Sequence, residues 1–305
     1  MKAMRIHRYG DASVIRQDDV PRPAPGDGQV LVRVAATSFN PSEIGMRRGW
    51  LRSVFPLDLP YTLGGDVAGV VAEVGAGVSA FAAGDRVVGR LDGGAAAEYV
   101  TAAADLLVAA PATIPLAHAA ALPIAGVTAW QAVFEHADVG PGQRVLVNGS
   151  GTVGRFAIQL LGRLGAHVIA TAGPRGAETV RRLGADRIVD YTAAPLADAL
   201  DEPVDVLFNF AAVTPSQAAE LVPLIRPGGV LVSATVEVEQ LAGPHLTAVR
   251  FVVRNDTGHL AALVKLVDAG AVRVDVAESR PLAELPSVHR DAETGRLPGK
   301  TLLIP

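Results

Sequence analysis

Gly149, Gly151 and Gly154, in the run NGSGTVG at 148–154, carry the spacing G-x-G-x-x-G. A β-like run, RVLVN at 144–148, precedes them. Val153, Phe156, Ala157, Leu160, Leu161 and Leu164 then recur at helical spacing. Between a strand and a helix, bare backbone in a tight turn lets a pyrophosphate approach, and the helix start offers unpaired N–H groups and a positive dipole end. The motif alone also describes an ordinary strand-to-helix turn; its context points to a dinucleotide. Which dinucleotide depends on the end of the next strand, where an acid about 20 residues on would take the ribose hydroxyls. Here Thr171, Ala172 and Gly173 are uncharged and Arg175 follows. A missing carboxylate beside a guanidinium suits a 2′-phosphate, so Thr171 and Arg175 are read as its contacts and NADPH as the cofactor. The plainer reading of Arg175 is a solvated residue at a helix start.

The elements that must position this loop alternate. After RVLVN come HVIAT (167–171), a helix stopping near Gly184, RIV (187–189), VDVLFNF (204–210), a helix in TPSQAAELVPLI with Thr214 as N-cap and Pro215 at its first position, and GVLVSAT (229–235). Alternation at this interval predicts βαβ units around a parallel sheet, and the nearly unbroken apolar strands fit a sheet covered on both faces. The first 120 or so residues differ: QVLVRVAATSF, VAGVVAEVG and DRVVGRL are strand-like runs between Gly- and Pro-rich turns. The reading is an α/β chain with a Rossmann-type parallel-sheet domain at 123–252, inserted into a mostly-β domain made of 1–122 and 253–305.

Composition removes several function classes. Half of the 305 residues are hydrophobic, enough for a sizeable core. A net charge of −4 without a Lys/Arg run argues against a nucleic-acid partner. With no cysteine there is no disulfide or thiolate metal site. The seven histidines lack paired ligand spacing, so no metal is expected. No run is long and apolar enough for a bilayer and the start MKAMRIHRYG lacks a signal-peptide core, so a cytoplasmic protein is expected.

Several segments, in order, resemble the quinone oxidoreductase-like branch of the medium-chain dehydrogenase/reductase superfamily: NPSEIGMRRG (40–49), LPYTLGGDVAGVVAEVGAGVSAFAAGDRVVG (59–89), ALPIAGVTAWQAV (121–133), the glycine loop, LGADRIVDY (183–191), PGGVLVS (227–233) and GRLPGKTLLI (295–304). The resemblance covers nearly the whole chain. It implies a GroES-like catalytic domain, a Rossmann cofactor domain, an active-site cleft between them and a homodimer paired through the cofactor domain. To the dimer the sequence adds AVRFVV (248–253), an apolar run suited to a sheet edge. The resemblance further implies that Asn40 borders the nicotinamide and substrate, that Thr128 lies near the nicotinamide and that Tyr191 contacts the adenosine phosphate region. Asn209 joins this cofactor-binding set, with Gly149, Gly151, Thr152, Val153 and Gly154. Thr152 stands where many relatives have glycine, its hydroxyl suited to a phosphate, and the lysine that relatives place on the 2′-phosphate falls near Gly176. Zinc members carry Gly-His-Glu where this chain has Gly64, Gly65 and Asp66. Gly65 thus replaces a histidine ligand.

Candidate catalytic residues are Asn40, Glu43 and Trp50, with Tyr61 and Phe55 as neighbours. NPSE also reads as a helix start, Asn40 capping, Pro41 opening and Glu43 stabilising the first turn. Trp50 and Phe55 wall an apolar pocket or pack beneath the loop. His289 is read as a structural or solvated helix residue. No Ser-His-Asp or Ser-Tyr-Lys arrangement is legible. The expected reaction is hydride transfer from NADPH to a quinone or α,β-unsaturated carbonyl. The alternatives are an enoyl-thioester reductase, a zinc-independent alcohol dehydrogenase or a non-catalytic NADPH-binding protein.

Overall fold

A computed structural model describes residues 1–53 and 55–305. They form two units, Met1–Ile124 with Asn255–Pro305, and Ala125–Arg254.

The chain begins with β1 (Lys2–Ile6), β2 (Ile15–Asp19), β3 (Gln29–Ser38), α1 (Ser42–Arg48), β4 (Tyr61–Thr62), β5 (Asp66–Val74), β6 (Arg86–Arg90), β7 (Tyr99–Ala103), β8 (Leu107–Ala109), α2 (Leu116–Ala119) and α3 (Pro123–Glu135). Strand and helix then alternate through β9 (Arg144–Asn148), α4 (Thr152–Arg163), β10 (His167–Thr171), α5 (Pro174–Arg182), β11 (Arg187–Val189), α6 (Leu196–Ala199), β12 (Val204–Asn209), α7 (Pro215–Ala219), β13 (Ile225–Ser233) and β14 (Leu246–Arg250). The chain closes with α8 (Thr257–Asp268), β15 (Glu278–Pro281), α9 (Leu285–Glu293) and β16 (Thr301–Ile304).

Among the described residues, the first unit holds a small sheet ordered β2-β1-β4 and a larger one ordered β15-β16-β3-β5-β6-β8, with β7 also pairing β3. Because β3 pairs with three neighbours, its residues Val30, Leu31, Val32 and Val34 are all buried, which explains a strand apolar on both faces. The last strand decides what lies beside it. Leu302 pairs Ser38 and Leu303 pairs Thr37, so the residues before β16 sit beside the end of β3.

The second unit is a six-stranded parallel sheet ordered β11-β10-β9-β12-β13-β14 among the described residues. This is the doubly wound order, reversing direction between β10-β9 and β9-β12, and ligands in such sheets bind beyond the strand ends at that reversal. Asn148, Asn209 and Ser233 fall in register at the ends of β9, β12 and β13. Leu146, Ile169, Leu207 and Leu231 form the sheet's buried middle. Thr214 caps α7 in a reciprocal box with Gln217 and Pro215 opens it, as the sequence predicts. That helix ends at Ala219 and resumes only as a short tight turn over Val222–Leu224, because Pro223 has no N–H to continue the ladder. AVRFVV divides: β14, at the sheet edge, ends at Arg250, and the Phe251 N–H still donates to the Ser233 carbonyl of β13 at 3.0 Å. No helix among the described residues is long and apolar enough to cross a membrane.

Candidate cofactor loop and buried polar cluster

The glycine loop sits at the switch of the second unit. Gly149 has a φ of +98°, and a β-carbon there would meet the Ala211 backbone nitrogen at 2.5 Å. A β-carbon at Gly154 would fall on the Gly149 carbonyl oxygen, so glycine lets α4 pack onto the loop. At Gly151 nothing lies within 4 Å of a built β-carbon. Gly151 begins α4 without a side-chain cap, and no acid stands in the first turn. Thr152 and Val153 are half-buried there, and the Thr152 hydroxyl bonds to none of the described residues. Open space, uncapped N–H groups and a positive helix end fit a pyrophosphate.

Two residues expected on the cofactor lie beneath the loop instead. Thr171 is buried; its hydroxyl accepts from the Gly149 N–H at 2.9 Å and donates to Asn148 Oδ1 at 3.2 Å. Asn209 is fully buried; Oδ1 accepts from Asn148 Nδ2 at 2.9 Å and Nδ2 donates to Thr235 Oγ1 at 2.9 Å. Both hold the loop rather than face a ligand, correcting their expected roles. Facing solvent are Arg175, with no ion-pair or hydrogen-bond partner among the described residues, and Tyr191, whose hydroxyl lies 3.6 Å from a β-carbon built on Gly173. Arg175 is the second residue of α5, whose first turn holds no acid. Thr128 is buried on α3.

The first unit assembles a different centre. Asp66, at the start of β5, is wholly buried. One of its oxygens accepts from the Ile124 N–H at 2.9 Å. The other takes the Ser38 hydroxyl, Asn40 Nδ2 at 2.8 Å and the ammonium of Lys300 at 3.5 Å. Lys300, also buried, donates to Asn40 Oδ1 at 2.9 Å and to the Phe39 carbonyl at 3.2 Å. Asn40 sends its second amide hydrogen to the Ser38 carbonyl at 3.2 Å. Both of its amide hydrogens and its oxygen are therefore engaged. Asn40 does not cap α1, which corrects that expectation, and its amide keeps no unengaged hydrogen. Glu43 accepts from the Asn40 N–H at 3.2 Å. Burial first, then the Asp66 charge, pushes the Glu43 carboxyl up to about 8, against the Asn40 hydrogen bonds and the Lys300 charge. Burial pushes the Lys300 ammonium down while Asp66 and Glu43 oppose it.

Trp50 is 69% exposed, with the Arg48 guanidinium 5.1 Å from its ring centroid, and Phe55 is also exposed. The expected pocket wall is thus an exposed cation–π pair. Tyr61 is occupied elsewhere: its hydroxyl donates to the Asp92 carbonyl, and burial, with Glu43 and Asp92 nearby, pushes it up to about 12. His289 is fully buried, its Nδ1 accepting from Arg47 Nε at 3.2 Å.

Residues 26–112 match the alcohol dehydrogenase GroES-like domain family, and residues 183–303 match the zinc-binding dehydrogenase family. The chain is 33% identical to the chloroplast envelope quinone oxidoreductase homolog of Arabidopsis thaliana, over 100% of this chain and 98% of that one. The chain belongs to the quinone oxidoreductase family of medium-chain dehydrogenases/reductases. It is also 32% identical to the NADPH-dependent alkenal/one oxidoreductase of Arabidopsis thaliana, over 100% of this chain and 80% of that one. The crystal structure of Escherichia coli quinone oxidoreductase complexed with NADPH superposes with a TM-score of 0.90 at 26% identity, over 100% of each chain.

The zinc in the second family's description meets an unsuitable donor set in this member. The chain has no cysteine, and a β-carbon at Gly65 would meet Ile124 Cδ1 at 3.1 Å and the Leu91 carbonyl at 3.4 Å, leaving little room for an imidazole. Sequence reading overlooked Lys300 and Ser38. The available signal was Lys300 itself: a chain with three lysines places one directly before an apolar terminal strand, where an ammonium must be buried with partners.

Proposed function

We propose that this protein reduces a quinone or an α,β-unsaturated ketone or aldehyde with NADPH. The observation that carries the reading is the open, uncapped glycine loop at the reversal of the sheet, in a chain related over its full length to quinone oxidoreductases. NADPH, when bound, supplies the hydride. The chain's part is to bind and orient. Gly149, Gly151, Thr152, Val153 and Gly154 cradle the pyrophosphate, and Thr171 and Asn209 hold that cradle in shape. Arg175, its fork unengaged at an acid-free helix start, takes the 2′-phosphate, and exposed Tyr191 and buried Thr128 complete the binding set.

The donor set decides the acceptor class. An isolated ketone becomes an alkoxide as hydride adds and needs a strong electrophile to steady it. With no cysteine and with Gly65 in the histidine position, this chain offers hydrogen-bond donors instead. A conjugated acceptor spreads the incoming charge, so such donors suffice. Consumption of NADPH against quinones, enones, enoyl thioesters and simple alcohols tests the reading; turnover of the first two is expected.

Two copies pair, in this reading, along β14, the sheet's edge, just past which Val252 exposes apolar surface. Sedimentation at micromolar concentration checks this, a monomer being the contrary result.

A further inference from the structure

A run of hydrogen bonds crosses the ends of β10, β9, β12 and β13, which are neighbours in the sheet of the second unit. The Gly149 N–H donates to the Thr171 hydroxyl at 2.9 Å, and that hydroxyl donates to Asn148 Oδ1 at 3.2 Å. Asn148 Nδ2 donates to Asn209 Oδ1 at 2.9 Å, and Asn209 Nδ2 donates to Thr235 Oγ1 at 2.9 Å. The Thr235 hydroxyl donates to the Ala211 carbonyl at 2.8 Å. The run then closes on itself. The Ala211 N–H donates to the Asn148 carbonyl at 3.2 Å, and its nitrogen is the atom that a β-carbon on Gly149 would meet.

Both ends fix the direction of this circuit. A hydroxyl carries one hydrogen, and a carboxamide has one accepting and one donating end. At the near end Thr171 accepts from Gly149, so its own hydrogen goes to Asn148, which must present its oxygen. At the far end the Ala211 carbonyl only accepts. It takes the Thr235 hydrogen, so Thr235 offers Asn209 a lone pair and Asn209 must present its nitrogen. From either end the two amides are turned the same way. Thr171, Asn148 and Asn209 are buried, where a mismatched polar pair is costly. Ser233, also buried, receives the Thr235 and Val236 N–H groups at 3.3 and 3.2 Å and so holds the turn that carries Thr235.

We propose that this closed circuit presets the glycine loop before the cofactor arrives, and that Thr235, past the end of β13, is a positioning residue for a loop that begins at the end of β9. This rests on the cofactor reading of the loop given above. Gly149, Gly151 and Gly154 give the loop wide conformational freedom, and freezing that freedom on binding costs affinity. At Gly151 no neighbour lies within 4 Å of a built β-carbon, and no side chain caps the start of α4. The base of the loop is different. Asn148 and Gly149 are held from β10 by Thr171 and from β12 by Asn209 at once. Removing a hydroxyl at either end of the circuit releases the amides to turn, and the Gly149 N–H loses its fixed partner.

The test removes one hydroxyl at each end. T171V and T235V keep the side-chain shape, and T171S and T235S keep the hydroxyl. The first readout is hydrogen–deuterium exchange of the nucleotide-free protein at residues 149–154. T235V should speed exchange there, as T171V does, and T235S should not. Thr235 is exposed, so T235V should fold, and its exchange decides alone if T171V does not fold. The second readout is fluorescence titration. T171V and T235V should each weaken NADPH and NADH alike, on the order of tenfold, because the pyrophosphate is common to both. The double variant should bind no more weakly than the weaker single one, since either break opens the same circuit. Thr171 and Thr235 share no partner and are separated by β9 and β12, so independent contacts would give losses that multiply. If the wild type binds neither nucleotide, the cofactor reading fails while the exchange result still decides the circuit. Unchanged exchange at 149–154 in T235V, or losses that multiply in the double variant, would overturn it.

Discussion

The ammonium of Lys300 donates to Asn40 Oδ1 at 2.9 Å, joining residues 260 positions apart. That contact, with Asp66 behind it, turns three short segments into one centre. An unpaired charge in such a place is costly, so the cluster holds only when complete.

Lys300→Met should therefore destabilise the fold by about 3–5 kcal/mol, because it strands the fully buried Asp66 without its cation. The double variant Lys300→Met with Asp66→Asn should lose less than the sum of the single changes. Urea unfolding followed by circular dichroism measures both. A loss under 1 kcal/mol for the single variant would show that the pair is not energetically coupled.

Arg175→Ala should weaken NADPH by about 1–3 kcal/mol, the worth of a charge-assisted contact, and leave NADH nearly unaffected. Fluorescence titration with each nucleotide reads it directly. Equal losses for both would assign the 2′-phosphate to another residue.

The loop glycines should separate. At Gly151 a methyl meets open space, so Gly151→Ala should fold normally yet bind NADPH at least tenfold more weakly, the methyl standing where the pyrophosphate approaches. At Gly154 a methyl would strike the Gly149 carbonyl, so Gly154→Ala should lower both thermal stability and affinity. Paired melting curves and titrations check this; normal affinity in Gly151→Ala would place the pyrophosphate elsewhere.

Two buried groups tilt stability with pH in opposite directions. Burial and the nearby Arg47 push His289 down to about 3 from 6.5, so between these values the unfolded chain binds more protons and stability is lost as pH falls. Glu43 is raised from 4.5 to about 8, so between these values the folded chain holds the extra proton and stability is lost as pH rises. His289→Gln should flatten the acid side of the stability profile and Glu43→Gln the alkaline side. Melting temperatures from pH 4 to 9 test both, and an unchanged slope in either variant contradicts the corresponding assignment.

The second unit was legible because its signals are local. Glycine spacing, strand–helix alternation and the Thr214–Pro215 helix start all lie within a few residues of what they determine. The polar cluster was not. Asn40, Asp66 and Lys300 meet only because β16 pairs with the end of β3, a pairing no window of sequence displays. The same limit explains Thr171 and Asn209, which stand at the strand ends expected for ligand contacts. Only side-chain hydrogen bonds show that they face into the protein. Trp50 was misread because an aromatic beside a helix end reads alike whether it packs inward or lies under an arginine on the surface.

Hydride transfer to a conjugated acceptor is tested most directly by isotope transfer. NADPH carrying deuterium at the transferable nicotinamide C4 position is incubated with the protein and an α,β-unsaturated ketone, and the product is examined by mass spectrometry and NMR. One deuterium is expected at the β-carbon, with a solvent-derived hydrogen at the α-carbon and a faster reaction with NADPH than with NADH. Product without label, or oxidation of unconjugated alcohols with no reduction of any enone or quinone, would contradict it.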